Sequence, residues 1–113
     1  MDLKQLEKMG AFASAEVSPV SMVWMDPKGE PATIDFFVRE LNTVDNGKIA
    51  SASREDGGGG VVVMTIFLSV VNEDGSPYFE STEVIGRLSK RFSDSMFEAI
   101  IKHRKEGEED AKK

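Results

Sequence analysis

The sequence predicts an α+β domain: an N-terminal antiparallel β-hairpin plus a third strand, packed against a C-terminal helical pair. Three observations predict it. Two loosely alternating runs, residues 17–25 and 33–41, flank a turn rich in Pro and Gly. A β-branched run, residues 61–71, is bounded by four glycines before it and turn residues after it. Beyond it, Val84, Ile85, Leu88, Phe92, Met96, Phe97, Ile100 and Ile101 recur at helical spacing.

The elements follow in order. Leu3, Leu6 and Met9 make one or two amphipathic helical turns, stopped by Gly10. In residues 17–25, Val20, Met22 and Trp24 share one face, and Val23 and Met25 the other. Asp26-Pro27-Lys28-Gly29-Glu30-Pro31 is a turn signal, because Pro presets one dihedral and Gly supplies the left-handed one. In the second run Ile34, Phe36 and Val38 oppose Asp35, Phe37 and Arg39. Both hairpin faces are partly apolar, so the hairpin is covered on both sides or used in an interface.

Residues 42–60 read as loop, with a turn at Asn46-Gly47 and a flexible glycine-rich stretch over about 51–60. Residues 61–71 read as a buried strand, with helix as the open alternative for a run of that length. Asn72 to Pro77 turns the chain. Ser81 or Thr82 caps a helix with Glu83 in its first turn, and Ser93-Asp94-Ser95 marks a second cap or a bend. The expected organisation is one domain over residues 1–105 and a charged, flexible tail over 106–113.

Composition removes whole classes of function. There is no cysteine and one histidine, His103, so thiolate and histidine-cluster metal sites are excluded. His103 lies in a basic helix end, where a cation favours the helix dipole, and not beside a nucleophile. The four glycines precede Val61-Val62-Val63 and not the Lys-Ser or Lys-Thr of a phosphate loop. The acidic run at Asn72-Glu73-Asp74-Gly75 lacks the ligand spacing of a calcium loop. Neither enzyme chemistry nor a cofactor is expected. The net charge of -6 argues against nucleic acid as a partner. The apolar runs are too short to span a bilayer, and the N-terminus has no apolar signal core, so a soluble intracellular protein is expected.

The remaining candidates are for protein interaction. Seven Phe, six Met and one Trp are a generous apolar supply for 113 residues, and Met serves adaptable surfaces as well as cores. Met25 and Phe37 lie on the minor hairpin face, beside Trp24. Arg87, Lys90 and Arg91 begin a basic helix flank that continues at Lys102 to Lys105 and suits an acidic partner.

One stretch carries a resemblance. It runs Ile66-Phe67-Leu68-Ser69-Val70-Val71, Asn72-Glu73-Asp74-Gly75, Ser76-Pro77-Tyr78-Phe79, Ser81-Thr82-Glu83-Val84-Ile85-Gly86-Arg87-Leu88, then Phe92 through Ile101. This order of apolar run, acidic turn with Gly and Pro, aromatic pair and capped helix pair resembles the tail assembly chaperones of long-tailed bacteriophages. The resemblance implies a protein that binds the tape measure protein and recruits tail tube subunits during tail morphogenesis. It also implies self-association, a place in the host cytoplasm and absence from the mature virion. Many such chaperones occur in a short form and a form extended by ribosomal frameshifting, and this chain would correspond to the short one. The rival readings are a structural tail component, such as a tube or tail-completion protein, and a small non-enzymatic adaptor.

Overall fold

The computed structural model describes the backbone of residues 1–112 and the side chains of residues 1–108. The architecture is α+β, as expected: a three-stranded antiparallel sheet packed with helices. The elements are α1 (Leu3–Lys8), β1 (Val17–Met25), β2 (Pro31–Arg39), α2 (Thr43–Ser69), β3 (Val70–Val71), α3 (Thr82–Gly86) and α4 (Lys90–Lys112).

Local chemistry sets the hairpin register. Asp26 donates its N–H to the Glu30 carbonyl at 2.9 Å, and Gly29 donates to the Asp26 carbonyl at 2.9 Å with φ at 82°. The Asp26 carboxylate accepts the N–H groups of Lys28 and Glu30 at 2.8 and 2.9 Å. A three-residue loop with Gly in the left-handed region is the result. It aligns Val20 with Phe36 and Met22 with Ile34, which puts the larger apolar residues of both strands on one face. The same turn recurs at residues 72–76. Asn72 N–H meets the Ser76 carbonyl at 2.8 Å, and Gly75, at φ 91°, donates to the Asn72 carbonyl at 2.9 Å.

The core lies between that face and the helices. Val20, Met22, Phe36 and Val38 from the hairpin meet Ile66 and Val70, Ile85 of α3, and Met96 and Ile100 of α4. Burying one such side chain contributes roughly 1.5–3 kcal/mol. Ile66, Ile85 and Ile100 are each at most 1% exposed, so the three helical elements converge on one point.

Three expectations are corrected. Residues 51–60, expected as a flexible loop, are helical and belong to α2. The element starts with a capping box at Asn42, bends at Gly57 (φ 66°, ψ −147°) and continues to Ser69. A Cβ at Gly60 would stand 2.9 Å from the Ala52 carbonyl carbon, so the chain reverses tightly there. Residues eight apart in a straight helix would lie about 12 Å apart along its axis. Of the apolar run 61–71, only Val70 and Val71 form strand; the rest is the second half of α2, buried at Thr65, Ile66, Leu68 and Ser69 and half-buried elsewhere. Apolar surface all round suits a helix enclosed by neighbours as well as it suits a buried strand.

The helical pair also divides earlier than expected. α3 ends at Gly86, and Ser89, not Ser93, caps α4, its Oγ accepting the Phe92 N–H at 3.2 Å. Of the tail expected at 106–113, the backbone to Lys112 continues α4; Lys113 lies outside the described residues.

The sheet edges are built alike. Because the Asp26 N–H donates to the Glu30 carbonyl, the even-numbered residues of β1 hydrogen-bond to β2, and the odd-numbered ones direct N–H and C=O to the open side. That open row contains Pro19, which has no N–H, and Met25, whose carbonyl accepts Arg91 Nη2 at 3.3 Å. At the other edge Pro77 bridges Val71, and its outward carbonyl accepts Asn72 Nδ2 at 3.2 Å.

Candidate protein-interaction surface

The face of the sheet opposite the core holds the candidate site. Strand register places Pro19, Phe37, Val71 and Pro77 in one row across it. At the hairpin tip the same face carries Val23 and Met25, 68% and 45% exposed. Between row and tip, Ser21 Oγ donates to the Asp35 carboxylate. Phe37 is half-buried and Met25 exposed, and the strand register puts both on this face. About 20 Å of strand separates their rows.

Trp24 belongs to the opposite face and is brought to α4. Its ring meets Phe92 edge-on at a centroid distance of 4.9 Å, and the Arg91 guanidinium sits 4.5 Å above its centroid. Arg91 also donates to the Met25 carbonyl. The guanidinium therefore binds strand to helix by a cation–π contact and a charge-assisted hydrogen bond. Of the six expected residues, Trp24, Met25 and Arg91 form one cluster at the hairpin tip. Phe37 stands apart on the outer face. Lys90 pairs with Asp94 at 2.6 Å, and that carboxylate holds its ammonium pKa above the ordinary lysine value. Arg87 is exposed at the end of α3.

The sequence reading placed Val23 on the face of Met25 but did not name it as an interaction residue. It also missed the joint that fixes the far end of the hairpin. Asp45 is 5% exposed and receives both guanidinium nitrogens of Arg39, at 2.8 and 3.1 Å. The same carboxylate accepts the Asn42 N–H at 2.9 Å, while Asn42 Oδ1 accepts the Asp45 N–H at 2.9 Å. Hydrogen bonding from Arg39 is the main reason its pKa lies below the ordinary aspartate value, against the opposing effect of burial. The signal was present: Asn42 and Asp45 have the spacing of a helix cap and its third residue.

Among the described residues no group of His, Asp and Glu is placed to hold a metal ion, and no helix is long and apolar enough to cross a membrane. The hairpin tip is an apolar strand end braced by a cation.

A family model described as phage tail assembly chaperone, TAC, matches residues 4–103. No curated protein and no solved structure matches the chain. The match takes in the whole sheet, the bent α2, α3 and the core-facing part of α4, well beyond the stretch that carried the resemblance. This chain belongs to the phage tail assembly chaperone family, and its function is non-enzymatic.

Proposed function

We propose that the protein binds the tape measure protein during tail morphogenesis, recruits tail tube subunits to it, and acts in several copies in the host cytoplasm without entering the mature virion. The family supports a role in tail assembly, and the hairpin tip supports a place for the contact. Val23 and Met25 offer apolar surface held on a stiff strand, and Trp24 and Arg91 brace that strand from behind. A holding protein needs apolar contact that is ordered before binding, because ordering a loop on contact lowers affinity. The negative charge of the whole chain keeps such a surface in solution.

Co-expression with the tape measure protein tests the reading. The expected result is a client that stays soluble and co-purifies with several copies of the chaperone. Met25→Asp should cut capture by about tenfold or more while leaving thermal unfolding unchanged, since the side chain lies outside the core. A client captured equally by Met25→Asp and Phe37→Asp removes the hairpin face as the docking surface. Recovery of the protein from purified virions in stoichiometric amount would favour a structural tail component instead.

A further inference from the structure

The tract at residues 57–60 holds more glycine than the bend in α2 requires. Gly57 takes the positive φ, and Gly60 lies so close to the Ala52 carbonyl that no Cβ would fit. Gly58 and Gly59 have ordinary helical dihedrals, and a Cβ on either would meet open space. Alanine would fit both positions and favour the helix there, each by a factor of about two to five. The effect of these two glycines is to loosen the chain beside the bend, since glycine regains the most conformational freedom when a helical turn is released.

The segment on the N-terminal side of the tract is lightly held. Of residues 43–56 only Asp45 and Ala52 are buried, with Ile49 and Ser51 half-buried. None of them belongs to the core cluster, which takes in α2 only from Val62 onward. The start of the segment is tied to β2 by the Arg39 fork on the Asp45 carboxylate, at 2.8 and 3.1 Å. Farther along, an open groove of about 290 Å³ separates it from the second half of α2. Ala52 and Asp56 line one wall, and Gly60, Val63 and Met64 the other, with Thr82 of α3 beside them. A close-packed interior has few voids larger than a water molecule, so the two halves meet along a seam and do not share one core.

We propose that residues 43–56 form a shutter, hinged at residues 57–60 and latched by Arg39 on Asp45, which opens while the sheet, residues 62–69, α3 and α4 stay folded. Residues 40–42 tether its start to β2 and span at most about 10 Å, so the released helix start swings by about that distance. Opening bares Ala52, Val63 and Met64, an apolar strip separate from the hairpin tip. The shut and open forms differ by one ion pair and one seam, which makes this segment the low-stability unit of the fold. The shutter does not rest on the client reading, and its test uses no client.

The chain has no cysteine, so a single introduced thiol reports opening. Ala52→Cys stands on the shutter, and Ser69→Cys, at a fully buried serine, reports on the rest of the fold. Labelling by an aromatic disulfide should be at least about 100-fold faster at Ala52→Cys than at Ser69→Cys, with a weaker dependence on urea because less surface is exposed. Asp45→Asn should speed the labelling of Ala52→Cys about tenfold. Gly58→Ala combined with Gly59→Ala should slow it about tenfold, since alanine stiffens a hinge but would not hinder a helix unravelling from its start. Ile100→Val, in the core, should speed the labelling of Ser69→Cys and leave that of Ala52→Cys unchanged. If Ala52→Cys lowers the melting temperature, Met64→Cys on the facing wall carries the same comparisons. Equal rates and equal urea dependence at the two thiols overturn the proposal. So does labelling on the shutter that Asp45→Asn leaves unmoved, or that the paired alanines fail to slow.

Discussion

The two halves of α2 are one element made in two different ways. Residues 43–56 are mostly exposed and are held at their start by bonds: the Asn42 cap, and Asp45 under the Arg39 fork. Residues 58–69 lack such a cap and are held by enclosure, with Thr65, Ile66, Leu68 and Ser69 all buried. Ser69 Oγ is buried without a hydrogen-bond partner among the described residues, the mark of a segment placed by packing and not by polar pairing. The comparison teaches that helix in this chain follows either from local chemistry or from surroundings. Only the first kind is written within a few residues of itself.

Breaking the enclosed half should cost most. Ile66→Ala is expected to destabilise by about 3–4 kcal/mol in chemical denaturation, because Ile66 is fully buried at the meeting point of sheet, α3 and α4. A loss below about 1 kcal/mol would show that the core there can collapse around the cavity.

Breaking the capped half should cost less and should depend on pH. Asp45→Ala is expected to destabilise by about 2–3 kcal/mol at pH 7, from a lost cap and a lost pair of charged hydrogen bonds. The Asp45 pKa is lowered by folding, so its contribution is fully present above the unfolded value of about 3.9 and is lost as pH falls through the depressed native value. Wild-type and variant unfolding curves should therefore converge in acid, and a constant difference down to about pH 2 would contradict the assignment.

The joint between the halves gives the smallest and most discriminating effect. Gly59→Ala meets open space in a helical position, so it should stabilise by about 0.5–1 kcal/mol. Gly57→Ala, at positive φ, and Gly60→Ala, against the Ala52 backbone, should both destabilise. Equal responses at all of these glycines would mean that the bend is not fixed where the structure places it.

The same division explains what was legible in the sequence. The hairpin could be read because its turn residues and its alternation are local and agree: Asp26 and Gly29 fix the loop, and Val20, Met22, Ile34 and Phe36 fix the face. Residues 61–69 could not, because Val61, Val62, Val63 and Ile66 favour strand as strongly as they favour a helix enclosed on all sides. Four successive glycines masked the helix before them, although Gly57 and Gly60 serve a bend in α2 and not a loop. Of the interaction surface, the outer face was legible from alternation, while the union of Trp24 with Arg91 was not, since 66 residues separate Arg91 from its acceptor at Met25.

The two prolines at the rims of the sheet have a consequence for crowding. A strand edge with regular donors and acceptors is a template, and each added strand presents another. Pro19 interrupts that row on one side and Pro77 on the other, while Arg91 occupies the Met25 carbonyl at the far end of β1 and Asn72 occupies the carbonyl of Pro77 itself. The sheet is therefore finite by construction. At high local density the chain does not lengthen its sheet into a fibril, and contact across the rims is left to side chains.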